Sequence, residues 1–307
     1  MLRHSRINMT DILIVGTGAL GTLFAARLAG AGHHVTMLGT WQDGIAAVQQ
    51  NGVRIVDAAG IEQRFNVRAT DNPHDCDGSK YALVLVKAWQ TERAALQLRD
   101  CLAHNGLALT LQNGLGNHET LSLHLGLNRV TLGVSTTGAT LLRPGVARAG
   151  GEGVISLQQD QALGPIEAAL KSARFNVQVV NDAQSLVWGK LVVNAAINPL
   201  TALLNIPNGE LLNRPSAREL MGRLAREVAE VARLEKIQLP FADPVSAVED
   251  VARRTAANHS SMLQDVLRNA PTEIDAICGA VVSKGVSHEF EASVNRTCWS
   301  LVRALHA

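Results

Sequence analysis

Aromatic residues make up only 3% of the 307 positions, and charge is almost balanced, at a formal net +1. Near-neutrality leaves no basic surface of the kind that nucleic acid or an anionic membrane would need, so neither is expected as a partner. Cys76, Cys101, Cys278 and Cys298 are scattered, with no CxxC spacing. That excludes a disulfide framework and a thiolate zinc site, and reads as reduced thiols in a cytoplasmic protein. His33, His34, His104, His118, His124 and His259 show no ligand spacing, so no metal is expected. No uninterrupted apolar run approaches the roughly 20 residues of a membrane span. Residues 12–15 are far too short for a signal-peptide core. Residues 1–8 read as a loose extension, with Met9 a candidate start. The chain length predicts two domains.

What is present centres on residues 188–201, WGKLVVNAAINPLT. Leu191, Val192, Val193, Ala195, Ala196 and Ile197 make a helix apolar on nearly every face, which should be buried. Lys190, Asn194 and Asn198, spaced i, i+4, i+8, form one polar stripe along it. Buried and unpaired, even a neutral amide costs about 1–3 kcal/mol. The stripe therefore serves either an internal hydrogen-bond network or a polar ligand. Pro199 is expected to end the helix beside the stripe.

The first half carries a second signal. Residues 11–15 (DILIV) read as a fully buried strand. They lead into Gly16-Thr17-Gly18-Ala19-Leu20-Gly21, then a helical pattern ending at Gly30 or Gly32, then a strand at 34–38. A GxGxxG between strand and helix is a dinucleotide-binding signature: a tight turn at Gly16, backbone approach to a pyrophosphate at Gly18, close helix–strand packing at Gly21, and a helix N-terminus facing the anion. The acid that usually reads the ribose at the end of the second strand is missing; Gly39-Thr40-Trp41-Gln42 stands there. Its absence favours NADP(H), with Thr40 and Gln42 as hydrogen-bonding groups and NAD(H) left open.

Further strands are predicted at 81–86, 107–111 and 130–136, a hairpin at 146–149 and 154–157, a helix at 162–172 and a strand at 177–180. Lys87 and Asn113 follow the carboxyl ends of two of these strands, where ligands of open α/β sheets lie. Read alone, Lys87 serves equally as a surface lysine, and Asn113-Gly114 as turn chemistry. From residue 182 the pattern is helical almost throughout, placing a domain boundary near 181. A helix over 216–234 presents Leu220, Leu224, Val228 and Val231 as core. Asn208-Gly209 is good turn chemistry that could equally return Asn208 toward the Lys190 stripe, and Ser261 with Gln264 reads as a capping box ahead of a ligand role. Pro271 and Glu273 open a helix with Ile274, Ile277, Cys278, Val281 and Val282 inward.

Taken together, GTGALG at 16–21, KAWQ at 87–90, NGLG at 113–116, the stretch 188–211, SSMLQD at 260–265 and TEID at 272–275 resemble the ketopantoate reductase family, in order and over the chain from residue 11 onward. The resemblance implies an α/β N-terminal Rossmann-type dinucleotide-binding domain (1–181) plus an all-α C-terminal domain (182–307). It implies NADPH-dependent reduction of 2-dehydropantoate. Lys190 matches the family's general acid, and Glu273 an acid near the nicotinamide. Gly16, Thr17, Gly18, Ala19, Leu20, Gly21, Lys87, Asn113, Ala139 and Glu273 match cofactor contacts. Asn194, Asn198, Asn208 and Ser261 match groups that bind the substrate, a small 2-oxo acid. Thr40 departs from the pattern, standing where NADPH-using members often carry an arginine. A homodimer is left open. The other readings are a reductase of a different short 2-oxo acid and a non-catalytic nicotinamide-binding sensor, which would have no need of a proton donor.

Overall fold

Alternation within buried strands decides how the first half folds. In the computed structural model, which describes residues 9–57, 59–151 and 153–305, DILIV forms β1 (Asp11–Val15). Ile12 and Ile14 point into one apolar cluster and Leu13 and Val15 into another. Both faces of the sheet are therefore covered, which is why the strand shows no polar alternation. The predicted loose extension at residues 1–8 lies outside the described residues.

From β1 the chain runs through α1 (Ala19–Gly30), β2 (His34–Leu38), α2 (Gln42–Asn51), β3 (Val53–Val56), β4 (Glu62–Phe65), β5 (Arg68–Thr70) and β6 (Ser79–Val84). Next come α3 (Thr91–Cys101), β7 (Leu102–Thr110), α4 (Asn117–Leu125), β8 (Val130–Ser135), β9 (Ala139–Arg143) and β10 (Val146–Ala149). The half closes with β11 (Val154–Gln158), α5 (Gly164–Ser172) and β12 (Asn176–Val180). An eight-stranded sheet has the order β12-β11-β8-β7-β6-β1-β2-β5, parallel except where β11 meets β8. Helices α1, α2 and α5 bury Phe24, Leu28, Ile45, Val48 and Ile166 on one face; α3 and α4 bury Leu98, Leu121 and Leu125 on the other. This is the doubly wound Rossmann-type arrangement.

The hairpin predicted at 146–149 and 154–157 does not form. β10 pairs with β9 and β3 in a separate four-stranded sheet, β4-β3-β10-β9, whereas β11 pairs with β8 and β12. The real hairpin is β9–β10, turned at Pro144-Gly145, with Gly145 at φ +69°. Proline followed by a left-handed glycine is strong turn chemistry that outranks the glycines at 150–153.

The described residues cluster into two units: those up to Gln112 with Asn117–Ala183, and Asn113–Gly116 with Gln184 onward. The short segment 113–116 groups with the second unit because Leu115 N–H donates to the Ala276 carbonyl at 2.9 Å and Gly114 lies against Ala276.

The second unit is helical: α6 (Ala183–Leu204), α7 (Glu210–Asn213), α8 (Pro215–Leu234), α9 (Pro244–Arg254), α10 (Ser261–Leu267), a π-helical turn (Asp275–Gly279), α11 (Ala280–Ser287) and α12 (Ser293–Ala304). Among the described residues α6 alone is long and apolar enough to cross a membrane. Its apolar faces supply Trp188, Leu191, Val192, Ala195, Ala196 and Ile197 to the core of this unit.

Pro199 does not end α6, which continues to Leu204. A proline at 199 cannot donate to the Ala195 carbonyl. The Cys278 Sγ stands 3.9 Å from that oxygen instead, and Thr201 Oγ1 lies 3.0 Å from the carbonyls of both Ile197 and Asn198. With the one carbonyl that lost its donor faced by the Cys278 thiol, the flanking apolar residues keep the helix going. Leu220, expected in the core of α8, is 38% exposed, and its neighbour Met221 is fully buried in phase with Leu224, Val228 and Val231. Ile274, Ile277, Cys278, Val281 and Val282 all face inward as expected.

Helix α12 is anchored by a carboxylate from α8. Glu227 accepts from the backbone N–H of Val294 and Asn295 and from Asn295 Nδ2, each at 2.9 Å. Glu227→Gln places an amide N–H against these donors and should cost about 2 kcal/mol. The expected result is a lower urea midpoint with an unchanged m-value. Gly114 has φ +81°, and a Cβ there would lie 2.4 Å from the Ala276 carbonyl oxygen. Gly114→Ala should cost about 3 kcal/mol by the same measurement.

Candidate active site

The first unit presents the nucleotide-binding features. Gly16 has φ +124°, a conformation that L side chains rarely adopt. At Gly21 a Cβ would fall 2.0 Å from the Gly16 carbonyl oxygen, so only glycine lets α1 pack this closely on the turn. Gly18 is different: it is exposed, caps α1, and a Cβ there would meet nothing within 4 Å. Nothing within the protein demands glycine at this position, which fits close approach by a bound pyrophosphate. Thr17 is buried, while Ala19 and Leu20 open the helix half-buried. Lys87 is half-buried beyond β6, and Ala139 begins β9 in the smaller sheet. Gln42, expected to be available to the ribose end of a dinucleotide, donates Nε2–H to Asp71 Oδ2 at 2.7 Å.

The second unit gathers the polar groups. Along α6, Lys190 and Asn194 are half-buried and Asn198 is 6% exposed, so the stripe deepens toward the Pro199 end. Burial pulls the Lys190 ammonium down from its ordinary range to about 8, and the nearby Glu273 carboxylate partly opposes that shift. Glu273 is 5% exposed and accepts from Asn113 Nδ2 at 3.0 Å. The π-helical turn follows immediately, with Gly279 N–H reaching back to the Ile274 carbonyl at 3.0 Å. Such wide turns often mark functional sites.

Asn208 is held by backbone bonds of its turn to Ala256 and Asn258. Its Nδ2 donates to Thr255 Oγ1 at 2.8 Å, and Thr255 Oγ1 itself donates to the Val251 carbonyl. The Thr255 proton is thus already used, which fixes the amide orientation and leaves Asn208 Oδ1 buried without a partner among the described residues. Leaving a buried acceptor unmade costs about 1–3 kcal/mol, so a donor from a bound molecule fits this position.

The capping box predicted at Ser261 does not form; a simple serine cap sits one residue earlier, without the reciprocal bond. Ser260 is the N-cap of α10: its Oγ accepts from Leu263 N–H at 3.1 Å, and Gln264 Nε2 donates to the His259 carbonyl. Ser261 is the first helical residue and is exposed, leaving its hydroxyl outside the cap. Two serines in a row offered no sequence signal for which would cap; tertiary contact decided, because Ser260 Oγ lies 2.7 Å from Thr201 Oγ1. Thr201, fully buried, was not anticipated as part of this arrangement. It ties the C-terminal end of α6 to the start of α10.

Chemically, the second unit offers a readily dissociated ammonium, a carboxylate beside it, and amides suited to carboxylate or hydroxyl groups. The first unit offers a phosphate-accepting glycine turn.

Comparison with known proteins agrees with this reading. Residues 12–161 match the model of "Ketopantoate reductase PanE/ApbA", and residues 182–306 that of its C-terminal domain. The 2-dehydropantoate 2-reductase of Archaeoglobus fulgidus is 36% identical over 96% of this chain and 98% of its own. That of Halobacterium salinarum is 33% identical over 95% and 97%. A crystal structure of a PanE/ApbA family ketopantoate reductase from Ralstonia eutropha superposes with TM-score 0.90 at 29% identity, covering 97% of this chain and 98% of that one. A ternary structure of D-mandelate dehydrogenase with NADH and anilino(oxo)acetate shares the fold, with TM-score 0.91 at 24% identity and coverage of 97% and 98%. A glycine turn shaped for a dinucleotide, a lysine on an amide-striped helix with the Glu273 carboxylate near it, and relatives matched nearly end to end together place this chain in the ketopantoate reductase family of oxidoreductases.

Proposed function

We propose that this protein reduces the C2 ketone of 2-dehydropantoate to the alcohol, giving pantoate, with a nicotinamide dinucleotide as reductant. The observation that carries the reading is Lys190, a half-buried ammonium brought to about 8 by burial, beside Glu273 and at the head of the Asn194–Asn198 stripe. The dinucleotide, when bound, supplies a hydride to the ketone carbon. Negative charge then develops on the ketone oxygen, where Lys190 stabilises it and donates the proton that completes the hydroxyl. A group near 8 is protonated at neutral pH yet gives up its proton far more readily than an ordinary lysine. Glu273 keeps the ammonium charged until the substrate arrives, and Asn113 holds Glu273 in place. The residues at 16–21, with Lys87, Asn113 and Ala139, bind the dinucleotide in this scheme; Asn194, Asn198, Asn208 and Ser261 bind the substrate's carboxylate and hydroxyl. As donor we take NADPH, because neither Gly39 nor Thr40, at the end of β2, carries a negative charge.

Loss of reduced-nicotinamide absorbance with 2-dehydropantoate and either donor tests the reading. Saturable turnover is expected; no turnover with any short 2-oxo acid would overturn it. Lys190→Ala should lower kcat at least about a hundredfold while leaving donor binding intact, the size usual for removal of a general acid. In the wild type, kcat should fall as pH rises through about 8, where Lys190 loses its proton. An alkaline limb that survives in the alanine variant would assign the proton to another group.

A further inference from the structure

We propose that Asp71, at the end of β5, reads the 2′ position of the adenosine ribose in place of the acid that β2 lacks, and that its charge holds down use of the 2′-phosphorylated donor. The inference rests on the dinucleotide-dependent reading above.

Strand β5 lies beside β2 in parallel register, with Leu38 opposite Thr70, and Gly39 N–H donates to the Thr70 carbonyl at 3.1 Å. One step further along the two strands, Asp71 stands opposite Gly39. The end of β2 also touches the glycine turn: a Cβ on Gly39 would lie 3.0 Å from Thr17 Cγ2 and 3.1 Å from Thr17 Oγ1. A side chain at position 39 would sit tight against Thr17, which would have to give by a few tenths of an ångström. Neither Gly39 nor Thr40 supplies the carboxylate that a Rossmann fold ordinarily carries at this strand end, and the adjacent strand β5 brings Asp71 close to it.

Asp71 is exposed and oriented. Gln42, the first residue of α2, donates to its Oδ2 at 2.7 Å, which fixes the carboxylate at the mouth of the β2–α2 connection. Among the described residues Asp71 has no other hydrogen bond and no ion pair. Asp75, four residues on, is employed differently. It accepts from Thr70 Oγ1 at 2.6 Å and from Asn72 Nδ2 at 3.2 Å, and so stabilises its own loop. Asp43 lies in the first turn of α2, next to Gln42 in the chain. Arg68, the basic residue of β5, stands opposite Thr36, two positions before Thr70.

A carboxylate accepts hydrogen bonds from ribose hydroxyls, and it repels a 2′-phosphate, which carries close to two negative charges at neutral pH. In solvent-exposed surroundings, like charges at contact range lower affinity by about tenfold. The bias toward NADPH that comes from an acid-free end of β2 is accordingly held small in the wild type by Asp71 on the neighbouring strand end.

The test is donor affinity, read by fluorescence of the reduced nicotinamide without substrate, for wild type, Asp71→Asn and Asp75→Asn, followed by kcat/KM for each donor. Asp71→Asn should shift the NADPH-to-NADH affinity ratio toward NADPH by about tenfold, with the change in KM and kcat preserved. Asp75→Asn should leave the ratio where it was. An unmoved ratio in Asp71→Asn, with both donors still bound, would overturn this inference alone. Failure of the wild type to bind either donor would overturn it together with the reading it rests on.

Discussion

A lysine ammonium held in a largely apolar helix is the constraint around which the second unit is arranged. Burial lowers the Lys190 ammonium from its ordinary range, and a nearby negative charge offsets part of that shift. Glu273 supplies it, and that carboxylate is in turn buried and needs donors. Asn113 is one of them, carried on a four-residue segment whose Leu115 is bonded to the Ala276 carbonyl of the following π-helical turn. Position 114 must be glycine for the segment to lie there, since both its positive φ and the nearness of Ala276 exclude a side chain. One buried charge thus dictates a carboxylate, an amide, a glycine and a widened helical turn.

The same helix shows how a local rule yields to packing. Proline normally interrupts a helix because it removes a donor and crowds the preceding turn. Within α6 the Ala195 carbonyl that lost its donor faces Cys278, and the apolar residues on either side lose more by leaving the core than the backbone loses by one missing bond. The continued helix is put to use, since Thr201 meets Ser260, the residue that caps α10. Asn198 and Ser261 are set by the two ends of that link.

In the first unit the chemistry is written in what the chain omits. Glycine at 16 and 21 answers to the backbone itself, whereas glycine at 18 answers to nothing within the protein. Glycine at 39 lies close against Thr17, and neither it nor Thr40 is the acid that the fold ordinarily keeps at this strand end. Each absent side chain carries a different meaning, which only the neighbouring atoms reveal.

Much of this was legible in the sequence, because it depends on residues near one another along the chain. The strand–glycine turn–helix unit, the apolar helix with its polar stripe and the inward set from Ile274 to Val282 follow from periodicity and local stereochemistry. The six ordered motifs identified the family. What depended on contacts between distant segments was not legible. Sequence alone paired β10 with β11 because they are neighbours, while the sheets took them apart. It ended α6 at Pro199 and put Leu220 in the core, because it could not count what packs on each face. It chose Ser261 as the cap, which contact with Thr201 gave to Ser260. Asp71 follows β5, a three-residue strand too short to show any alternation in the sequence. Local propensity is encoded residue by residue, whereas pairing, burial and the neighbours of a charge are decided by which distant residues arrive, and these only the tertiary structure brings together.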